Sequence, residues 1–239
     1  MNLHERTVIV IGGGSGIGWG AAQACLERGA HVVLAGRTAS KLERALQTLQ
    51  AGERGRYVSA DITKEGDVSA LFRGAERVDH VVVTAADLAY QPIVEFDVAA
   101  AQRALGSKLL GALLVAKHAA PRLPAHGSLT FTTGVASERP LPRGSLTATV
   151  NGGLHSFVRA AAIELAPIRV NALSPGWVDS ELWDSIGVDK AAAFAQMAAR
   201  LPVGRIATPA DLGHAAVFLM ESEMTTGAVL TVDGGHRFV

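Results

Sequence analysis

Thr7-Val-Ile-Val-Ile-Gly12-Gly-Gly-Ser15-Gly16-Ile17-Gly18 runs from an apolar stretch into a cluster of glycines and straight on into a helix-like segment. Val8 to Ile11 is continuously apolar, as a strand buried on both faces of a parallel sheet must be, and Ile17 to Leu26 carries apolar residues at helical spacing. Between them the glycines permit positive φ and close approach of backbone N–H groups to an anion. The helix that begins there aims the positive end of its dipole at the same point. The stretch reads as a strand-turn-helix that cradles a phosphate, and a dinucleotide pyrophosphate is the guest it suits; a glycine cluster alone reads equally as a tight structural turn. No Gly-Lys-Ser/Thr follows, which excludes a P-loop.

Outward from this turn, short β-rich runs alternate with longer helical patterns. Strands are expected near Thr7–Ile11, His31–Ala35, Arg56–Ala60, Asp79–Thr84, Ser128–Thr133, Arg169–Ser174 and Val229–Val232. Each crossover is long enough for a right-handed βαβ unit. The expected fold is therefore α/β: a single-domain, Rossmann-like, doubly wound parallel sheet of about seven strands over residues 1–239, with ligand at the carboxyl ends of the strands. A chain of 239 residues with 49% hydrophobic content has ample material for a sheet buried on both sides.

Lysine plus arginine and aspartate plus glutamate each number 22, and the basic residues are scattered rather than striped. This argues against nucleic acid or anionic membrane and for a small-molecule partner. The N-terminus lacks a signal-like apolar region and no later apolar run reaches spanning length uninterrupted, so the expected location is cytoplasmic. The lone Cys25, among Ala21, Ala22 and Leu26, reads as a small core residue. The eight histidines are dispersed, and no metal site is expected. Two stretches, Asp97 to Ala119 and Leu146 to Leu165, carry apolar residues around much of their girth. Intrachain packing explains such helices, and so does burial against a second copy; a homodimer or homotetramer is the expectation.

Several ordered motifs resemble the short-chain dehydrogenase/reductase family, and the resemblance covers essentially the whole chain. They are Gly12-x-x-x-Gly16-Ile17-Gly18, Asp61-Ile62, the segment Asn171 to Ser180 with Pro175, Gly176 and Val178, and the run from Gly204-Arg205 to Val232-Asp233-Gly234-Gly235. The resemblance implies a nicotinamide cofactor held by Gly12, Ser15, Gly16, Ile17, Gly18, Ala85, Pro175, Gly176 and Val178, with Asp61 and Ile62 at the adenine. In Rossmann units a carboxylate after the second strand favours NAD, whereas an arginine accommodates a 2′-phosphate. Here Gly36 stands at the carboxylate position and Arg37 follows, which favours NADP(H) over NAD(H) unless Arg37 is only a solvated turn residue.

The resemblance also implies a Tyr-x-x-x-Lys pair that relays a proton, and this chain departs from it: Thr147 stands for the tyrosine and Asn151 for the lysine. A threonine hydroxyl is a far weaker acid than a phenol, and an asparagine carries no charge. The family's serine aligns with Gly134, its helix asparagine with Lys108, and its Asn-Asn-Ala-Gly run with Val83-Thr84-Ala85-Ala86. Three readings stay open. The first is an NADP(H)-dependent oxidoreductase acting on a carbonyl or alcohol through Lys108, Thr147 and Asn151, with Thr133 or water completing a relay; Lys108 reads equally as a snorkelling helix lysine. The second is a catalytically silent dinucleotide binder, a sensor or non-catalytic subunit. The third is another reaction using Lys108, Asp87, Glu138 or His155. Residues of roughly 177–204, including Trp177, Trp183, Ile186, Phe194 and Met197, are expected to form an apolar lid over an apolar ligand, or to pack on the sheet.

Overall fold

The computed structural model describes residues 2–87, 89–185 and 189–239. Seven parallel strands form one sheet in the order β3-β2-β1-β4-β5-β6-β7. They are β1 (Thr7–Ile11), β2 (His31–Gly36), β3 (Gly55–Ser59), β4 (His80–Val83), β5 (Ser128–Thr132), β6 (Arg169–Pro175) and β7 (Val229–Val232). Val8 of β1 lies opposite Val32 on one side and His80 on the other, so β1 is an interior strand, paired on both edges. The chain winds outward from β1 to β3, then returns to place β4 beside β1. The crevice of a doubly wound sheet opens where that order reverses, here at the carboxyl ends of β1 and β4.

Alternate residues of each central strand face opposite ways and build two cores. Ile9, Ile11, Val81, Val83, Leu129 and Phe131 pack against the helices α3 (Glu65–Arg73), α5 (Gly111–Ala119) and α6 (Ser145–Glu164). Val8, Val10, Leu34, Val82 and Leu173 pack against α1 (Gly16–Glu27), α2 (Ala39–Thr48) and α8 (Pro209–Glu221). Cys25 is buried in the second core, and burial pushes its thiol up to about 12, so it packs as a small apolar residue.

The stretch expected as one regular helix from Asp97 to Ala119 is not regular. It comprises α4 (Val98–Ala104), a π-helical turn over Leu105–Leu110, and α5. Asp97 caps α4 by accepting from the N–H groups of Ala99 and Ala100. Ser107 and Lys108 lie within this wide turn and are buried there, bordering the cleft at the carboxyl ends of the strands. The helical run 98–122 is long and apolar enough, by length and composition alone, to cross a membrane. Its Ala112, Val115 and Ala119 lie in the sheet's core, which is the packing of a core helix. The remaining helix, α7 (Lys190–Ala198), stops three residues short of the expected Leu201.

Candidate active site

The carboxyl ends of the strands open into a cleft of about 780 Å³, within the range of small-molecule and cofactor sites. At its floor lies the turn between β1 and α1. Gly12, Ser15, Gly16 and Ile17 line the cleft. Gly12 adopts φ +91°, which only glycine takes without strain. Gly18 stands behind it: a Cβ there would strike the Gly12 carbonyl, so this glycine lets α1 close on the strand rather than meeting the cleft itself. Helix α1 starts at Ser15 with no side-chain cap and no acidic residue in its first turn. Its first N–H groups therefore keep their capacity for an anion.

The walls come from the loops that follow the other strands. Past β2, Arg37, Thr38 and Lys41 line one end. Arg37 approaches Asp87 at 3.4 Å, and Lys41 pairs with Glu181 at 2.6 Å. Past β3, Asp61 accepts from the Thr63 N–H at 3.0 Å and the Thr63 hydroxyl at 2.8 Å. Burial works to raise the Asp61 pKa, but these two bonds together with the nearby Arg37 and Lys64 charges outweigh it and hold the carboxyl below its ordinary range. Ile62, Ala85, Pro175, Gly176 and Val178 complete this part of the lining.

At the other end lie Lys108, Thr147 and Asn151. Lys108 Nζ donates to the Thr133 carbonyl at 2.8 Å, and burial lowers the ammonium's pKa to about 8. The Asn151 side chain fills the space in front of Gly134: a Cβ on residue 134 would lie 2.9 Å from Asn151 Nδ2. Asn151 Oδ1 is buried without a hydrogen-bond partner among the described residues, a polar atom held ready for a donor. Thr147 donates its hydroxyl to the Ala89 carbonyl at 2.9 Å, tying α6 to the loop after β4. His155 backs this floor, 3.0 Å from the Thr133 hydroxyl, and burial lowers its pKa. Glu138 is turned toward Arg237 at 3.7 Å, whereas Asp87 lines the cleft near Arg37.

The expected lid is in part a packed cluster. Trp177 and Trp183 pack at a tilt of 42° with centroids 4.3 Å apart, and Phe194 meets Trp183 edge-on at 5.2 Å. Both tryptophans line the cleft, while Met197 is buried away from it. Ile186 lies outside the described residues.

The sequence model of a family described as enoyl-(acyl carrier protein) reductase matches residues 12–237. Over 98% of its length the chain is 34% identical to short-chain dehydrogenase/reductase ucsE from an Acremonium species, covering 96% of that protein. The chain belongs to the short-chain dehydrogenase/reductase family. It is also 35% identical, over 98% of each chain, to the cis-4-hydroxycyclohexanecarboxylate dehydrogenase of Sinomonas cyclohexanicum. Among solved structures, the MalC reductase/Diels-Alderase from Malbranchea aurantiaca superposes with a TM-score of 0.91 at 29% identity, covering 98% of this chain and 97% of that one. A small-chain dehydrogenase in complex with NADPH superposes with a TM-score of 0.83 at 30% identity, covering 98% of this chain and all of that one.

In this short-chain dehydrogenase/reductase, the cofactor residues named from the sequence border this cleft except Gly18, as do Lys108, Thr147 and Asn151, whereas Glu138, His155, Phe194 and Met197 do not line it. Sequence reasoning passed over Lys41, Glu181 and Tyr90, which also line it. Lys41 carried a signal, a lysine four residues after Arg37; Glu181 opens a short 3-10 turn and Tyr90 sits in a loop, neither with a periodicity to place it.

Proposed function

We propose that this protein is an NADP(H)-dependent oxidoreductase that interconverts a carbonyl and an alcohol, with Lys108, Thr147 and Asn151 acting where the family's usual groups are replaced. The observation that carries this reading is the buried Lys108 ammonium, brought by the π-helical turn to the same cleft as the uncapped N-terminus of α1. A cradle for phosphates and a positive charge thus border one space. The related dehydrogenase whose structure holds NADPH supports the choice of cofactor.

The residues fit such a guest. The N–H groups at Ser15, Gly16 and Ile17 would meet the pyrophosphate, and Asp61 and Ile62 the adenine. Arg37, with Lys41, would face the 2′-phosphate, exchanging the partners Asp87 and Glu181 for it. Asn151 Oδ1 would accept from a ribose hydroxyl, and Ala85, Pro175, Gly176 and Val178 would flank the nicotinamide. Bound there, the cofactor supplies or accepts a hydride. Lys108 places its charge beside the Thr133 carbonyl at the cleft floor, where it stabilises negative charge on a substrate oxygen. Thr147 holds the loop after β4 in place. The paired tryptophans favour a substrate with an apolar ring, and the alicyclic alcohol in the name of the Sinomonas relative has such a ring beside its carboxylate.

The second reading, a silent dinucleotide binder, is favoured by one observation: Asn151 occupies the space that a side chain on residue 134 would need, so two reacting positions are lost together. Turnover separates the readings. With NADPH and a panel of cyclohexanone, 4-oxocyclohexanecarboxylate and 1-indanone, the oxidoreductase consumes cofactor with at least one ketone; tight binding with no turnover favours the silent reading. Arg37→Asp reverses a preference for NADPH over NADH, and equal affinities before and after the change would remove Arg37 from the account. We place the protein in the cytoplasm as a homodimer or homotetramer, on the exposed Leu105, Leu110 and Leu113 of the α4–α5 run.

A further inference from the structure

We infer that Tyr90, carried on the loop after β4, is a catalytic residue that supplies the phenol this cleft lacks on helix α6. The inference rests on the oxidoreductase reading above. The chain has two tyrosines. Tyr57 lies on the edge strand β3, at the far side of the sheet, while Tyr90 lines the cleft. Thr147, the residue standing at the family's tyrosine position, lines the same cleft as Tyr90. Thr147 donates its hydroxyl to the carbonyl of Ala89, the residue just before Tyr90, at 2.9 Å. Position 147 is therefore tied to the loop that carries the phenol, and the two residues border one space.

The segment bearing Tyr90 is tied down on both sides. Thr84 donates its hydroxyl to the Ile11 carbonyl at 3.2 Å, and the Asp87 N–H donates to the Ser107 hydroxyl at 2.9 Å. Beyond Tyr90, the Asp97 N–H donates to Gln91 Oε1 at 2.5 Å. These bonds anchor Asp87 before Tyr90 and Gln91 after it, while Tyr90 stays 45% exposed and so reachable by a substrate. Burial among the cleft walls raises the phenol's pKa, so a neighbouring cation, the Lys108 ammonium or the oxidised nicotinamide ring, must offset that burial for the phenol to give up its proton to a carbonyl oxygen.

In the reducing direction the carbonyl carbon gains a hydride, and the reductant, a reduced nicotinamide dinucleotide, becomes its oxidised pyridinium form. The C=O π pair moves onto oxygen, the Tyr90 O–H bond breaks, and that proton completes the alcohol. The tyrosinate left behind takes a proton from water at its exposed edge. Lys108 steadies the charge on the substrate oxygen while the proton moves.

Fluorine NMR of protein labelled with 3-fluorotyrosine tests this directly, because two tyrosines give two resonances and Tyr90→Phe assigns them. On addition of NADP+ the Tyr90 resonance is expected to shift and its phenol to titrate lower by about one pH unit, as a neighbouring cation demands, with Tyr57 unmoved. Thr147→Val is expected to shift the Tyr90 resonance in the free protein as well. In turnover of the ketone panel, Tyr90→Phe lowers kcat about 100-fold, the low end for a general acid, and leaves the Kd for NADPH unchanged. A Tyr90 resonance that stays still while NADPH fluorescence reports binding overturns the inference and leaves the cofactor reading standing, as does a Tyr90→Phe variant with wild-type kcat. No binding of either cofactor, or no turnover by the wild type, overturns the oxidoreductase reading and the inference together.

Discussion

A lysine ammonium removed from water must find an acceptor or give up its proton readily, and Lys108 is set between these outcomes. It donates to the Thr133 carbonyl, yet burial brings its pKa from an ordinary 10.5 to about 8. Because the folded state prefers the neutral amine, native stability rises as pH climbs from about 8 toward 10.5, where only the unfolded chain still holds the proton. Activity runs the opposite way, since the positive charge is the useful form. The rate of ketone reduction is expected to fall above about pH 8, and Lys108→Met to abolish that limb of a pH–rate profile; a limb that survives the substitution would free Lys108 of its role. In sequence this residue was legible as a charge close to where a charge had been lost, but its aim was not, because the π-helical turn leaves the apolar periodicity almost unchanged. The mutual exclusion between Asn151 and a side chain at position 134 was hidden for a similar reason: it is a contact between β5's exit and α6, 17 residues apart.

Elements with strong local signals came through with their bounds. Strands β1 and β7 run over the residues their apolar runs predict, and the other five differ by a residue or so at their ends. Ends were legible where a turn or a cap marked them, and less so where tertiary packing decides, as in α7. Helix α8 has the firmest start: Thr208 accepts from the Asp211 N–H, and Asp211 accepts from the Thr208 N–H at 2.7 Å. Arg205 grips the same carboxylate with two bonds of 2.7 Å, and with these bonds foremost the Asp211 pKa lies well below the usual carboxylate range. Asp211→Ala is expected to cost about 1–2 kcal/mol in urea unfolding, the range for loss of a cap. Since the folded pKa is depressed, the contribution is complete above about pH 4 and disappears as pH falls through the lowered value. An unfolding midpoint unchanged by the substitution at pH 7 would show that the box is ornamental.

Across the whole molecule, alternation of strand and helix was enough to predict a doubly wound parallel sheet, and the strand order then dictated where the cleft must lie. The partners of surface loops were not readable, since the pairings Arg37–Asp87 and Lys41–Glu181 join residues 50 and 140 apart. The outer faces of the α4–α5 run leave Leu110 and Leu113 exposed beside the buried Val115. Light scattering on the eluting protein is expected to give a dimer or tetramer, and the pair Leu110→Glu with Leu113→Glu to give a monomer; a monomeric wild type at micromolar concentration would rule the association out. The central claim is that the cleft at the carboxyl ends of β1 and β4 takes a pyridine nucleotide through the open N-terminus of α1, with Arg37 facing the 2′-phosphate. Calorimetric titration of the wild-type protein with NADPH and NADH tests it most directly: saturable heat with both and tighter binding of NADPH is the predicted result, and no heat with either would contradict it.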